Sequence, residues 1–69
     1  MSEKIRIVMV KRGNMSAAEL ARRVGWSAQN MSNKLKRDNW TQDDLTAIAE
    51  ALGCRYRSEF EMTDTGEIV

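Results

Sequence analysis

Three stretches of this 69-residue chain share one frame: "MSAAEL" (Met15–Leu20), "WSAQNM" (Trp26–Met31) and "WTQDDL" (Trp40–Leu45). Each has a large apolar residue, then Ser or Thr, then a second large apolar residue four positions after the hydroxyl. A Ser or Thr ahead of a helical pattern accepts a hydrogen bond from a first-turn N–H, and the apolar pair clamps the entering chain. Each frame therefore predicts a helix start. In the first, Ser16 is the N-cap, Glu19 completes a capping box and Met15 staples to Leu20; in the third the same parts are Thr41, Asp44 and the Trp40–Leu45 pair. The middle frame places Asn30 where the other two carry an acid.

The stops follow from the starts. A second helix is expected over Ala17 to Val24, ending at Gly25, which can take the left-handed conformation. A third runs from Ala28 to about Lys36 and loosens at Asp38 and Asn39. A fourth, Gln42 to Leu52, places Leu45, Ile48, Ala49 and Leu52 on one stripe and stops at Gly53. Ahead of these, Glu3 to Arg12 is ambiguous, because "IRIVMV" is β-branched. Ser2 as a cap, Gly13 as a stop and the Ile5, Val8, Met9, Arg12 stripe favour a helix. Its other side then carries Ile7 and Val10, which need a cover.

The tail supplies a candidate cover. In "CRYRSEFEM" Cys54, Tyr56, Ser58, Phe60 and Met62 alternate with Arg55, Arg57, Glu59 and Glu61, the period of a half-buried strand. "TDTGE" reads as a hairpin loop with Gly66 left-handed, returning through Glu67, Ile68 and Val69. The expected organisation is residues 1–53 as a four-helix unit and 54–69 as a β-hairpin extension of the same domain. The fold class is mainly α.

Composition excludes several functions. No apolar run approaches the roughly 20 residues of a membrane span, and the opening "MSEKIRIVMVKRG" lacks the pattern of a secretory signal, so a cytoplasmic protein without membrane association is expected. His is absent and Cys54 is the only cysteine. That argues against a metal site, a cofactor or a nucleophilic centre, and reads Cys54 as a small buried hydrophobe. Asp43 and Asp44 point about 100° apart on a helix, as first-turn charges rather than a catalytic pair. The net charge of +1 hides a division: residues through Arg37 sum to +7, and those from Asp38 on to −6. One face is suited to a polyanion.

Two short helices separated by "GWS" form a helix-turn-helix, whose second helix lies in the major groove of DNA. The stretch "SAAELARRVGWSAQNMSNKLKR" resembles the lambda-repressor and Cro-type family, also called XRE-like, over about Ile5 to Leu52. The resemblance implies a compact helical DNA-binding fold in which Ala21 lets two helices cross closely, Gly25 makes the turn, and Leu20, Val24, Trp26 and Met31 fill the space between them. The chain departs from the family at Ala17, where Gln is frequent, and at Lys34, where an apolar residue is common. Here Leu35 takes the inward role, and the hairpin replaces the family's fifth helix.

On the third helix Ala28, Met31 and Leu35 cluster on one side, while Gln29, Asn30, Asn33 and Arg37 lie opposite. Gln and Asn can bridge adenine edges and Arg can fork onto guanine, so these four are the expected base contacts. Ser27, Ser32, Lys34, Lys36, Arg22 and Asn39 are the expected phosphate contacts. Asn30 suits this role because an acid there would face phosphate charge. Trp26 and Trp40 could stack on bases, but their staple positions favour core packing.

The reading is of a sequence-specific duplex DNA-binding transcriptional regulator of bacterial or phage type, not an enzyme. A homodimer is expected, joined through the tail and first helix by Ile7, Val10, Tyr56, Phe60, Met62 and Ile68. The alternative arrangement folds the hairpin onto its own first helix. The alternative function is an antitoxin-like or adaptor module whose main ligand is a protein.

Overall fold

The computed structural model describes residues 1–57 and 59–69. Four helices, α1 (Ser2–Lys11), α2 (Ala17–Val24), α3 (Ala28–Arg37) and α4 (Gln42–Ala51), precede two short strands, β1 (Cys54–Tyr56) and β2 (Phe60–Met62). The three frames start α2, α3 and α4: the Ser16, Ser27 and Thr41 hydroxyls accept from the backbone N–H of Glu19, Asn30 and Asp44. Only α4 closes the full capping box, with the Asp44 carboxylate accepting from the Thr41 N–H at 3.1 Å. The box expected at Glu19 does not form, because its carboxylate is held by Arg22 and Arg23 instead.

The first segment is helical, as its stripe predicts, but its start differs from the expectation. Ser2 lies inside α1, Met1 is the N-cap residue, and no side chain of the local segment caps the helix. The cap comes from 36 residues away: Asp38 accepts from the Ser2 N–H at 2.8 Å and from the Ser2 hydroxyl at 3.0 Å. Asp38 itself is the left-handed C-cap of α3 (φ 54°), so one residue ends α3 and begins α1. Opposite this, Arg12 donates to the carbonyls of Leu52 and Gly53, both at the end of α4. A long basic side chain thereby satisfies the carbonyl of Leu52, the C-cap of α4, while the Gly53 carbonyl just beyond also accepts from the backbone N–H and hydroxyl of Thr63.

The tail departs most from the sequence reading. The alternating stretch is not one long strand but a hairpin, with β1 antiparallel to β2 in the register Cys54↔Met62, Arg55↔Glu61 and Tyr56↔Phe60. The alternation holds on both strands; Ser58, which belonged to the pattern, lies outside the described residues. Gly66 is left-handed (φ 78°) as expected, and the return through Glu67–Val69 pairs with β2, Val69 exchanging both backbone hydrogen bonds with Phe60.

This geometry settles where the apolar residues of the tail go. Phe60 is fully buried and Met62 nearly so, in one core with Ile5, Val8, Leu20, Met31, Ile48 and Leu52. They are therefore occupied within the monomer and cannot join a second copy, contrary to the expectation for a dimer surface. Burying a phenylalanine in its own core leaves no reason to hold it for a partner. Tyr56 is half-buried against Phe60, ring centroids 5.3 Å apart. Ile7, Val10 and Ile68 stay exposed. Ile68 pairs with Glu61, opposite in facing to Phe60, and so stands on the outer side of the sheet.

Candidate nucleic-acid interface

Gly25 ends α2 in the left-handed conformation (φ 89°), and the N–H groups of Gly25 and Trp26 both bond to the Ala21 carbonyl at 2.9 Å. That tight turn sends the chain into α3. Ala21 is 1% exposed, and a larger side chain would push α3 away. Met31 and Leu35 anchor the inner face of α3, with Leu35 taking the inward role. Ala28, expected on that face, is exposed instead, because it belongs to the first turn, which projects beyond the core.

The outer face gathers most of the expected contacts. Asn30, Asn33, Arg37 and Asn39 border one shallow polar concavity together with Lys34. Gln29 is exposed on the same helix, and its side-chain amide donates to Oδ1 of Asn33 at 3.3 Å. The Asn30 side chain makes no hydrogen bond among the described residues, since only its backbone N–H serves the Ser27 cap. The capped start of α3 has no acid in its first turn and ends in Lys34, Lys36 and Arg37.

The expected phosphate contacts divide by their local bonding. Lys36 and Arg37 are exposed and make no ion pair among the described residues. Ser27 is exposed and uses its hydroxyl oxygen as an acceptor, leaving the O–H to donate outward. Ser32 is half-buried, and Asn39 is exposed at the α3–α4 turn. Arg22 is 75% exposed and bonded to Glu19, a surface pair of little strength that a phosphate can replace.

Lys34 is different. Its ammonium donates to Asp44 at 2.7 Å and lies 5.5 Å from the Trp26 ring centroid, and only a quarter of the side chain is exposed. At the border of the concavity it is thus already held by two partners within the chain. The same hydrogen bond holds the Asp44 carboxyl below the usual carboxylate range. Trp26 stacks on Trp40 at 6.5 Å, and the Trp40 indole N–H donates to the Ser2 hydroxyl at 2.9 Å. Both tryptophans thus brace the starts of α3 and α4 against α1, as their staple positions predict.

Asp38, Asp44, Arg12 and Trp40 position the interface through contacts that sequence spacing alone does not reveal. A local signal existed for Asp44 and Trp40, in their shared helix-start frame, though not for their contacts with Lys34 and Ser2. Cys54 is buried, and burial raises its thiol pKa. No group of three or more His, Cys, Asp or Glu side chains suited to a metal occurs among the described residues. Among the described residues no helix is long and apolar enough to cross a membrane.

A capped pair of helices crossing at a small residue, with the second presenting amides and cations to solvent, defines a helix-turn-helix DNA-binding module. Residues 4–57 match the family model described as a Cro/C1-type HTH DNA-binding domain, and the chain belongs to that family. The match ends before β2 and the return strand. Neither a curated protein nor a solved structure was found to match the chain.

Proposed function

We propose that the protein is a transcriptional regulator of bacterial or phage type that reads duplex DNA by placing α3 in the major groove. The observation that carries this is the convergence of Asn30, Asn33, Arg37 and Asn39 on one polar surface at the exposed side of a capped, acid-free helix. Gln29, Asn30, Asn33 and Arg37 contact base edges; Ser27, Ser32, Lys36, Arg22 and Asn39 contact phosphates. Lys34 leaves the phosphate set and acts as a positioning residue through Asp44 and Trp26. Selection from a random duplex pool tests the reading, followed by titration of the selected site and random DNA. Asn33→Ala should cost about 1–3 kcal/mol at the selected site with little effect on random DNA, whereas Lys36→Ala should weaken both. Equal losses for Asn33→Ala on both duplexes refute base readout.

A palindromic site needs two copies. The support for a homodimer is the outer edge of the return strand: Ile68 is 51% exposed, and its backbone N–H and C=O make no backbone hydrogen bond among the described residues. Two such edges can pair antiparallel across a two-fold axis. Ile68→Lys should then convert a dimer to a folded monomer in light scattering, and a monomeric full-length chain at high micromolar concentration refutes the arrangement. The same edge also suits an antitoxin-like or adaptor role. A shallow salt slope on DNA would favour that reading.

A further inference from the structure

The helices leave a groove of about 460 Å³ between α1, the start of α2 and the second half of α3. Its size falls in the range of small-ligand sites, roughly 300–1,000 Å³. Met9, Val10, Met15 and Leu35 make its apolar lining, and Arg6 and Lys36 stand at its border. Val10 is 61% exposed although its neighbours form a core. Arg6 and Lys36, like Lys4 and Arg37, make no ion pair among the described residues, and of these four only Arg6 and Lys36 border the groove. An apolar cleft with cations at its border complements a molecule with an apolar body and an anionic head. A bare phosphate would leave the cleft unfilled, and an uncharged hydrocarbon would leave both cations unused.

We infer that this groove binds a small amphiphilic organic anion, an alkyl or aryl carboxylate, with its body on Val10, Met15 and Leu35 and its carboxylate between Arg6 and Lys36. Ser32 also borders the groove. Because Lys36 and Ser32 are among the proposed phosphate contacts, an occupied groove competes with DNA; this part of the inference rests on the DNA-binding reading. The regulation is direct: the carboxylate takes the cation that the DNA backbone would use.

The test is titration of the ¹⁵N-labelled full chain with decanoate, decanol and inorganic phosphate, each followed by amide shifts. Decanoate is expected to give saturable shifts centred on Val10, Met15, Ser32 and Lys36, with decanol and phosphate each much weaker. Arg6→Gln should weaken decanoate about fivefold, the loss of one solvent-exposed charge pair. Val10→Asn, an uncharged polar change at an exposed position that the fold tolerates, should weaken decanoate about tenfold by removing the apolar contact, while leaving random-duplex affinity within about twofold. Absence of saturable shifts, or equal affinity for decanol, overturns the site. If Arg6→Gln instead lowers the salt slope of DNA binding and decanoate does not bind, the groove belongs to the DNA backbone and the inference fails. Decanoate that binds without weakening cognate DNA overturns the competition alone. Decanoate binding in a protein that fails to bind any duplex refutes the DNA reading and leaves the site standing.

Discussion

Replacing Lys34 separates a fold-positioning cation from a phosphate-binding one. The ammonium makes two contacts, 2.7 Å to Asp44 and 5.5 Å to the Trp26 ring centroid, and both partners of the ion pair are largely shielded, with 25% and 16% of their side chains exposed. An exposed pair is worth about 0.2–1 kcal/mol, and stripping the partner from a fully buried charge costs about 3–5 kcal/mol. A partly buried pair lies between, at about 1–2 kcal/mol. The cation–π contact adds about 0.5–1 kcal/mol. Lys34→Ala also removes the aliphatic stem, so its total cost is about 2–3 kcal/mol. In a domain of this size each kcal/mol moves the midpoint by about 4–8 °C, which gives a Tm lower by roughly 10–20 °C. Lys34→Met keeps the stem and sets a thioether against the Trp26 ring in place of the ammonium, so it should cost about 1–2 kcal/mol, the ion pair alone.

The pH dependence carries the same signature. Asp44 has a depressed folded pKa, chiefly through the Lys34 hydrogen bond. Its contribution is therefore complete above the unfolded carboxyl pKa of about 3.9 and is lost as pH falls through the lower folded value. The gap in Tm between wild type and Lys34→Met should narrow toward about pH 3. Thermal melts measure this, and DNA titrations at several salt concentrations complete it. The salt slope should be unchanged in Lys34→Met and reduced by about 1 in Lys36→Ala. An unchanged Tm with a reduced salt slope for Lys34→Met would refute the positioning role and return Lys34 to the phosphate backbone.

Three further outcomes are expected. Asn30→Glu should leave Tm unchanged or raised, because an acid suits the start of α3, and should weaken binding to every duplex; retained affinity would show that the missing acid has nothing to do with DNA. Phe60→Ala should cost about 3–5 kcal/mol in urea melts, while Ile68→Ala stays within about 0.5 kcal/mol, and comparable costs would contradict packing of the hairpin in its own core. Asp38 is held below the usual carboxylate range, first by the Ser2 backbone N–H, and Asp64 likewise by Arg12. Both stabilise the fold above the unfolded carboxyl pKa and lose that effect as pH falls through their folded values, so Asp38→Asn should flatten the acid limb of a Tm profile between about pH 5 and 2.

The local elements were legible because their causes are local. A hydroxyl, an apolar clamp and a left-handed glycine act within about one turn, so the starts of α2, α3 and α4 and the turn at Gly25 follow from spacing alone. Periodicity likewise distinguished the outer amides of α3 from Met31 and Leu35. What spacing could not supply was partnership between residues far apart in the chain. Asp38 reads as a turn residue, yet it caps α1; Arg12 reads as the end of a stripe, yet it closes α4 and pairs with Asp64. Lys34 reads as one more cation on a basic helix, and only the approach of the α4 start brings Asp44 to it. The tail shows the same limit. Its period-2 alternation is compatible with one long strand or two short ones, since a turn with two strand arms preserves which side chains face inward. The choice fell to the core, where Phe60 and Met62 fill space among the helices that a straight strand could not reach with both arms. Side-chain chemistry determined the elements and the polar outer face of α3; the long-range contacts decided which charged groups are held by partners elsewhere in the chain.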